Sequence, residues 1–309
     1  MAKLVSSLYQ GLVGFTNKSI VKNLIVITLC VLFIFVLIFY PYNYYASATK
    51  NPDSGFQVGI HYVYEQDNLT QIYGEVSRIH DLGFKVIRVT LECNPLIVND
   101  LQNQKSDMFF SATSYYGLAV ALVIKNDDTI SKINYYLDRW GSNLKYVQIM
   151  NEPETSSSWS VGALFTDDEI ISHFNDVYST VESHHLSVQY YTNFGIGYLL
   201  RTNLPIEFGK KLNFVGLDVY MDSFLVLSPL FIQNLQQTTH KEVVITEFGM
   251  STSDSTAQTN YIIKGLNLFR NMELKGCWLV YWNSEFDNYG IRGTTTEKAV
   301  GDWIAQNTK

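Results

Sequence analysis

The chain has 309 residues, 47% hydrophobic and 17% charged, with a formal net charge of −7. The charged share is low against roughly 25% in an average soluble protein, and the apolar share is ample for one large core. An acidic balance without any Lys/Arg-rich run excludes nucleic acid as a partner and suits a neutral, hydrated ligand.

In chain order, the first feature is an uncharged stretch, LIVITLCVLFIFVLIFY, at residues 24–40. Its length of about 17 residues reaches the lower bound for a membrane-spanning helix. Lys3, Lys18 and Lys22 precede it, whereas Lys50 is the first cation after it. This asymmetry places residues 1–23 in the cytoplasm, a single-pass anchor at 24–45, and the remainder outside the membrane. Tyr40, Tyr42, Tyr44 and Tyr45 fall where an interfacial aromatic belt would lie. Ala46-Ser47-Ala48 offers an alternative, cleavage of an export signal near Ala48 and secretion. Residues 46–55 then form a linker.

Residues 56–309 match the size of an eight-fold β/α barrel. Apolar runs of strand length occur at 56–62, 84–92, 118–124, 144–151, 186–193, 212–220, 241–249 and 275–283. Near-continuous apolar runs are what strands buried on both faces require. Amphipathic helical patterns fall between them at 69–82, 130–140, 167–185, 224–239, 257–272 and 296–306. Gly83 and Gly141 read as helix C-caps, and Asp167, Asp168 and Glu169 supply the negative charge that a helix N-terminus favours. His184 and His185 read as structural. The alternation predicts a (β/α)8 TIM barrel preceded by one transmembrane helix.

Functional residues in such a barrel gather at the C-terminal strand ends. Those ends carry His61, Arg88 with Glu92, Asn151-Glu152, Tyr220, Glu247 and Trp282. Glu152 and Glu247 lie about three βα units apart, so both carboxylates can converge on one substrate bond across the mouth. Paired carboxylates in a cleft, one protonated and one ionised, are the requirement for cleaving a glycosidic bond.

VIRV around Arg88, MNEPE around Glu152, GLDVY ending at Tyr220, ITEFG around Glu247 and VYWN at the eighth strand together resemble the clan A glycoside hydrolases, closest in pattern to the cellulase family (family 5). The resemblance spans residues 56–306 and implies a retaining hydrolase of O-glycosidic bonds in β-linked poly- or oligosaccharide, working without a cofactor or metal. It implies Glu152 as acid/base, Glu247 as nucleophile, Asn151 on the sugar 2-hydroxyl, Arg88 and Tyr220 on the nucleophile, and Trp282 as the platform beneath the sugar. It also implies a cis Trp282–Asn283 peptide, and carboxyl carbons about 5–5.5 Å apart. His61 and Trp159 are further candidates for contacting substrate; Glu92, Glu154 and Glu285 read as rim carboxylates. The sequence departs from the family pattern at Lys125-Asn126, where many relatives carry a histidine, and at Asp218-Val219-Tyr220, where a His-x-Tyr is common. A non-catalytic cell-surface barrel that binds carbohydrate is the alternative of a different class. The catalytic domain is expected to be monomeric. Cys93 and Cys277 fall at opposite ends of the barrel, too far apart to bridge.

Overall fold

A computed structural model describes residues 27–28, 45, 55–93, 100–155, 165–220, 222–283 and 288–308. The expected membrane anchor therefore lies outside the described residues except for Ile27, Thr28 and Tyr45, as do Trp159 and Glu285. Among the described residues no helix is long and apolar enough to cross a membrane.

All eight expected strands form: β1 Gln57–His61, β2 Val86–Thr90, β3 Ala119–Ile124, β4 Leu144–Asn151, β5 Gln189–Phe194, β6 Phe214–Tyr220, β7 Glu242–Gly249 and β8 Gly276–Leu279. They pair in sequence order, all parallel, and β8 closes on β1. The surrounding helices are α1 Leu69–Asp81, α2 Leu101–Tyr115, α3 Ile130–Trp140, α4 Asp167–Ser183, α5 Asn203–Gly209, α6 Asp222–Thr239, α7 Ser255–Asn271 and α8 Thr295–Asn307.

The helix starts follow capping chemistry. Asn68 with Gln71, and Thr166 with Glu169, form reciprocal capping boxes on α1 and α4. Asp100, Thr129 and Asp254 cap α2, α3 and α7. Gly83 has φ +89 and ends α1 as expected. Gly141 does not act that way: it stays right-handed and opens a 3-10 turn over Gly141–Asn143, with Leu186 packed where a side chain would project. Helix α2 has no counterpart among the expected patterns, because it buries Asn103, Lys105, Ser106 and Thr113 beside Phe109 and Phe110 and so shows no apolar stripe. His184 serves structure, bridging α4 to Asp138 and Asn134 of α3. Cys93 and Cys277 are buried and free.

The core has two parts. One is the layer between strands and helices. The other plugs the bottom of the barrel with Tyr191, Phe214 and Trp278 packed against Val86, Ala121 and Val244. Tyr191 stacks on Phe214 at 4.8 Å, and Trp278 meets Tyr191 edge-on at 5.3 Å. The plug needs Gly59 on β1, since a Cβ there would lie 2.6 Å from the Trp278 ring.

Strand β8 ends at Leu279, four residues short of the expected boundary. Trp278 faces the interior, but the chain then changes phase, so that Tyr281 and not Trp282 turns into the mouth. Trp282 is fully buried outside the barrel, its ring beneath the Arg78 guanidinium and its indole N–H donated to Glu75 at 2.8 Å. It is a core residue, not the expected sugar platform. The Trp282–Asn283 peptide is trans, not cis.

Candidate active site

Strand β4 shows how the site is built. Tyr146 and Gln148 point into the barrel, as strict alternation dictates. Continued alternation would send Met150 inward and Asn151 outward. Instead the pairing with β5 slips between Gln148 and Asn151, Met150 adopts φ 68 and joins the outer core, and Asn151 swings into the mouth. Glu152 follows with φ 39. A bulge re-aims side chains in this way, and non-glycine residues at positive φ store strain that recurs at functional sites. Strand β7 repeats the device. Its pairing with β6 slips so that Asp218 lies opposite Glu247, leaving Thr246 as the extra residue. Both glutamates therefore reach the mouth through an irregularity immediately before them.

A buried polar network holds these residues. Arg88, 2% exposed, donates Nε to Gln148 at 3.0 Å, one terminal nitrogen to Asn151 Oδ1 at 2.9 Å, and pairs with Glu247 at 2.6 Å. Its other terminal nitrogen faces His61 Nδ1 at 3.3 Å. Tyr220 donates its hydroxyl to the second oxygen of Glu247. Asn193 of β5 joins the halves: its Oδ1 accepts the Glu152 backbone N–H at 3.0 Å and Gln148 Nε2 at 2.7 Å, while its Nδ2 contacts Asn151 Oδ1, Asp218 and Glu247. Asn126 braces the Asn151 backbone through both amide ends, at 2.8 Å each. Three donors converge on Asn151 Oδ1, so the Nδ2 amide is the end it can offer to a ligand.

Glu152, Glu247, Asn151, Arg88, His61, Lys125 and Tyr281 share one cavity of about 360 Å³ at the C-terminal strand ends. Within it the two carboxylates have opposite surroundings. Glu247 is gripped by a guanidinium and a phenol. Glu152 makes no such pair: burial, then the charge of Glu247, pushes its carboxyl up to about 7, with Arg88 pulling weakly the other way. Asp218 accepts from Asn193 and Thr246, and burial together with both glutamates pushes its carboxyl well up. Burial and Arg88 hold His61 well below the ordinary histidine range. With Nδ1 facing Arg88, the neutral ring carries its proton on Nε2, which has no partner among the described residues and can donate to a ligand.

Six of the sequence-derived candidates thus come together: Glu152, Glu247, Asn151, Arg88, Tyr220 and His61. Trp282 does not join them; Tyr281 takes the mouth position and stacks on His61 at 5.2 Å. Glu92 is a rim carboxylate paired with Lys125. Glu154 is not on the rim; it is buried behind Glu152 and accepts the Gly195 N–H at 2.6 Å. Sequence reasoning missed Gln148, Asn193, Asn126 and Tyr281. A glutamine inside the apolar run YVQIM and an asparagine at the end of the fifth run were the available signals. Among the described residues no group of three or more His, Cys, Asp or Glu is placed to hold a metal ion.

Neither a protein-family model nor a curated protein matches the chain. Solved structures do match it in fold. The endo-β-1,4-mannanase of Thermotoga petrophila superposes with a TM-score of 0.63 at 11% identity, covering 82% of this chain and 77% of that one. A β-glucosidase from Exiguobacterium marinum gives 0.60 at 10% identity over 83% of this chain and 100% of that one. The covalently inhibited β-glucuronidase 2 of Bacteroides uniformis gives 0.54 at 14% identity over 76% of this chain and 32% of that larger one. At such identities the likeness is one of fold: all are similar to this chain as barrels.

Proposed function

We propose that the chain is a retaining glycoside hydrolase acting on β-linked glycan, with Glu247 as nucleophile and Glu152 as acid/base. One observation carries this reading: two carboxyls share one cavity, Glu247 paired with the Arg88 guanidinium and the Tyr220 hydroxyl while burial raises the Glu152 carboxyl to about 7. The fold shared with a mannanase and a β-glucosidase supports it.

Glu247, paired with Arg88, attacks the anomeric carbon as the glycosidic C–O bond breaks. Glu152, protonated, gives its proton to the departing oxygen. In the second step ionised Glu152 takes a proton from water, which displaces Glu247 from the sugar and regenerates the acid. Asn151 Nδ2 and His61 Nε2 are the donors for ring hydroxyls, and Tyr281 replaces Trp282 as the aromatic surface in the mouth. Asp218 stands where the family pattern has a histidine, and its neutral form avoids a third negative charge beside the glutamates.

In this reading residues 24–45 are a membrane anchor with the barrel outside. The Tyr45 carbonyl accepts Asn271 Nδ2 at the C-terminal end of α7, on the bottom face, which supports a tether on the side away from the mouth.

The loss of Trp282 as a platform favours a second reading, a barrel that binds carbohydrate without cleaving it. Turnover decides between them. The detergent-solubilised full chain should hydrolyse aryl β-glycosides or a β-glucan or mannan. E247A should be inactive until azide is added, yielding the glycosyl azide of inverted configuration, whereas E152A with azide should yield the retained product. Binding without any turnover across the panel would overturn the enzyme reading.

A further inference from the structure

Glu154 is 8% exposed and lies outside the mouth cavity. Its Oε1 accepts the Gly195 backbone N–H at 2.6 Å, while its Oε2 is buried with no hydrogen-bond partner among the described residues. An ionised carboxylate would be costly in such a place; a neutral acid, with one accepting oxygen satisfied, is tolerated.

The residue it holds is informative. Gly195 follows β5 directly and caps the 3-10 turn Ile196–Leu200. Its φ of −80 is available to any residue, so the glycine is not there for backbone freedom. Space explains it. A Cβ at this position would lie 2.6 Å from Glu152 Oε1 and 3.4 Å from Glu154 Oε1. Both carboxyls rest on the same bare Cα. Gly197, two residues on, leaves room for the stem of Glu154, since a Cβ there would fall 3.2 Å from Glu154 Cγ.

We propose that Glu154 is a positioning residue for Glu152: as an uncharged acid it fixes the Gly195 backbone, whose bare Cα is the wall on which the acid/base carboxyl rests. This builds on Glu152 being the acid/base. The electrostatics agree with the geometry. Burial pushes the Glu154 carboxyl up to about 8, with the charge of Glu152 adding to it and backbone N–H groups opposing. The cation facing it is Arg201, which is engaged with the Phe165 carbonyl at 2.9 Å and Asp167 at 3.7 Å. Glu152 therefore has a neighbouring carboxyl that adds no charge while it works.

The test uses the leaving-group dependence of kcat/KM, which reports the first step alone; there a misplaced acid matters only when the departing oxygen needs a proton. With the full chain, E154A should lower kcat/KM by about 10-fold on an alkyl or phenyl glycoside. On the 2,4-dinitrophenyl glycoside the loss in kcat/KM should stay below about 2-fold, since that anion leaves unaided. E154Q keeps the accepting oxygen and the neutrality, so it should restore the phenyl glycoside rate and leave the alkaline limb of the kcat/KM profile in place. G195A supplies a second arm if E154A folds poorly: its backbone is unstrained, and the flexible end of Glu152 is what must move. It should show the same leaving-group selectivity as E154A. E152A run in the same series reports on the underlying assignment. If E152A shows no leaving-group dependence, Glu152 is not the acid/base and the proposal falls with it. If E152A shows it but E154A and G195A lose rate uniformly, or E154Q moves the alkaline limb to lower pH, the positioning role alone is overturned.

Discussion

The two ends of the barrel are made from the same strands by opposite means. At the bottom, β5, β6 and β8 contribute Tyr191, Phe214 and Trp278 in regular alternation, and the rings of the aromatic plug are held by packing against one another. At the top, β5 and β6 still alternate, bringing Asn193, Asp218 and Tyr220 inward, but β4 and β7 slip phase before Asn151-Glu152 and Glu247, and the chain changes phase after β8 so that Tyr281 enters the mouth. The top holds an arginine, two raised carboxyls and a histidine nitrogen without a partner among the described residues. It is expensive structure, kept in place by the cheap structure beneath it, as expected when local rules are broken only where chemistry needs them.

This contrast predicts that damage at each end has a different signature. E247Q should reduce kcat on the order of 10⁴-fold or more while the fold persists, read from steady-state rates alongside circular dichroism. Loss of less than about 10-fold would dismiss it as nucleophile. W278A should do the reverse. Emptying the plug should cost about 3–5 kcal/mol in urea unfolding, with kcat of the folded fraction near wild type. A large kcat effect there would mean that the two ends are coupled.

The ends also differ in their response to pH. Folding raises the Glu152 and Glu154 carboxyls to about 7 and about 8, so the folded state holds these protons more tightly than the unfolded chain does. Their contribution to stability is fully present below the unfolded carboxylate range near pH 4.5 and is lost as pH climbs through the folded values. The unfolding free energy from urea titration should therefore fall between about pH 4.5 and 8, by several kcal/mol. E152Q should flatten that decline, whereas W278A should lower the whole curve without changing its slope. A wild-type profile flat over this interval would contradict the burial assigned to these groups.

The smallest effects separate neighbours in sequence. W282F removes one buried hydrogen bond to Glu75 and should cost about 1 kcal/mol of stability with KM unchanged. Y281A should raise KM with little change in stability. The opposite pairing would restore Trp282 as the sugar platform.

Much of this architecture was legible beforehand. Eight apolar runs at barrel spacing, with capping residues ahead of the helices, depend on local composition and period, and each became a strand of the closed sheet. Glu152 and Glu247 were legible for the same reason: a strand end in a barrel is a place, and a carboxylate there can be read from order along the chain. Trp282 was misread because a strand's period says which side a residue faces only while the period holds, and one slipped residue exchanged it with Tyr281. Helix α2 was missed because its buried polar residues find partners only in the folded state, such as Ser106 with Tyr64 and Cys93. Asn193 and Glu154 take their meaning from groups 41 residues away in the chain. The sequence by itself determined the barrel and the two carboxylates that face its mouth. Tertiary structure alone decided the surroundings of each carboxyl, because how much water each loses and which cation reaches it are set by side chains that strand pairing brings together.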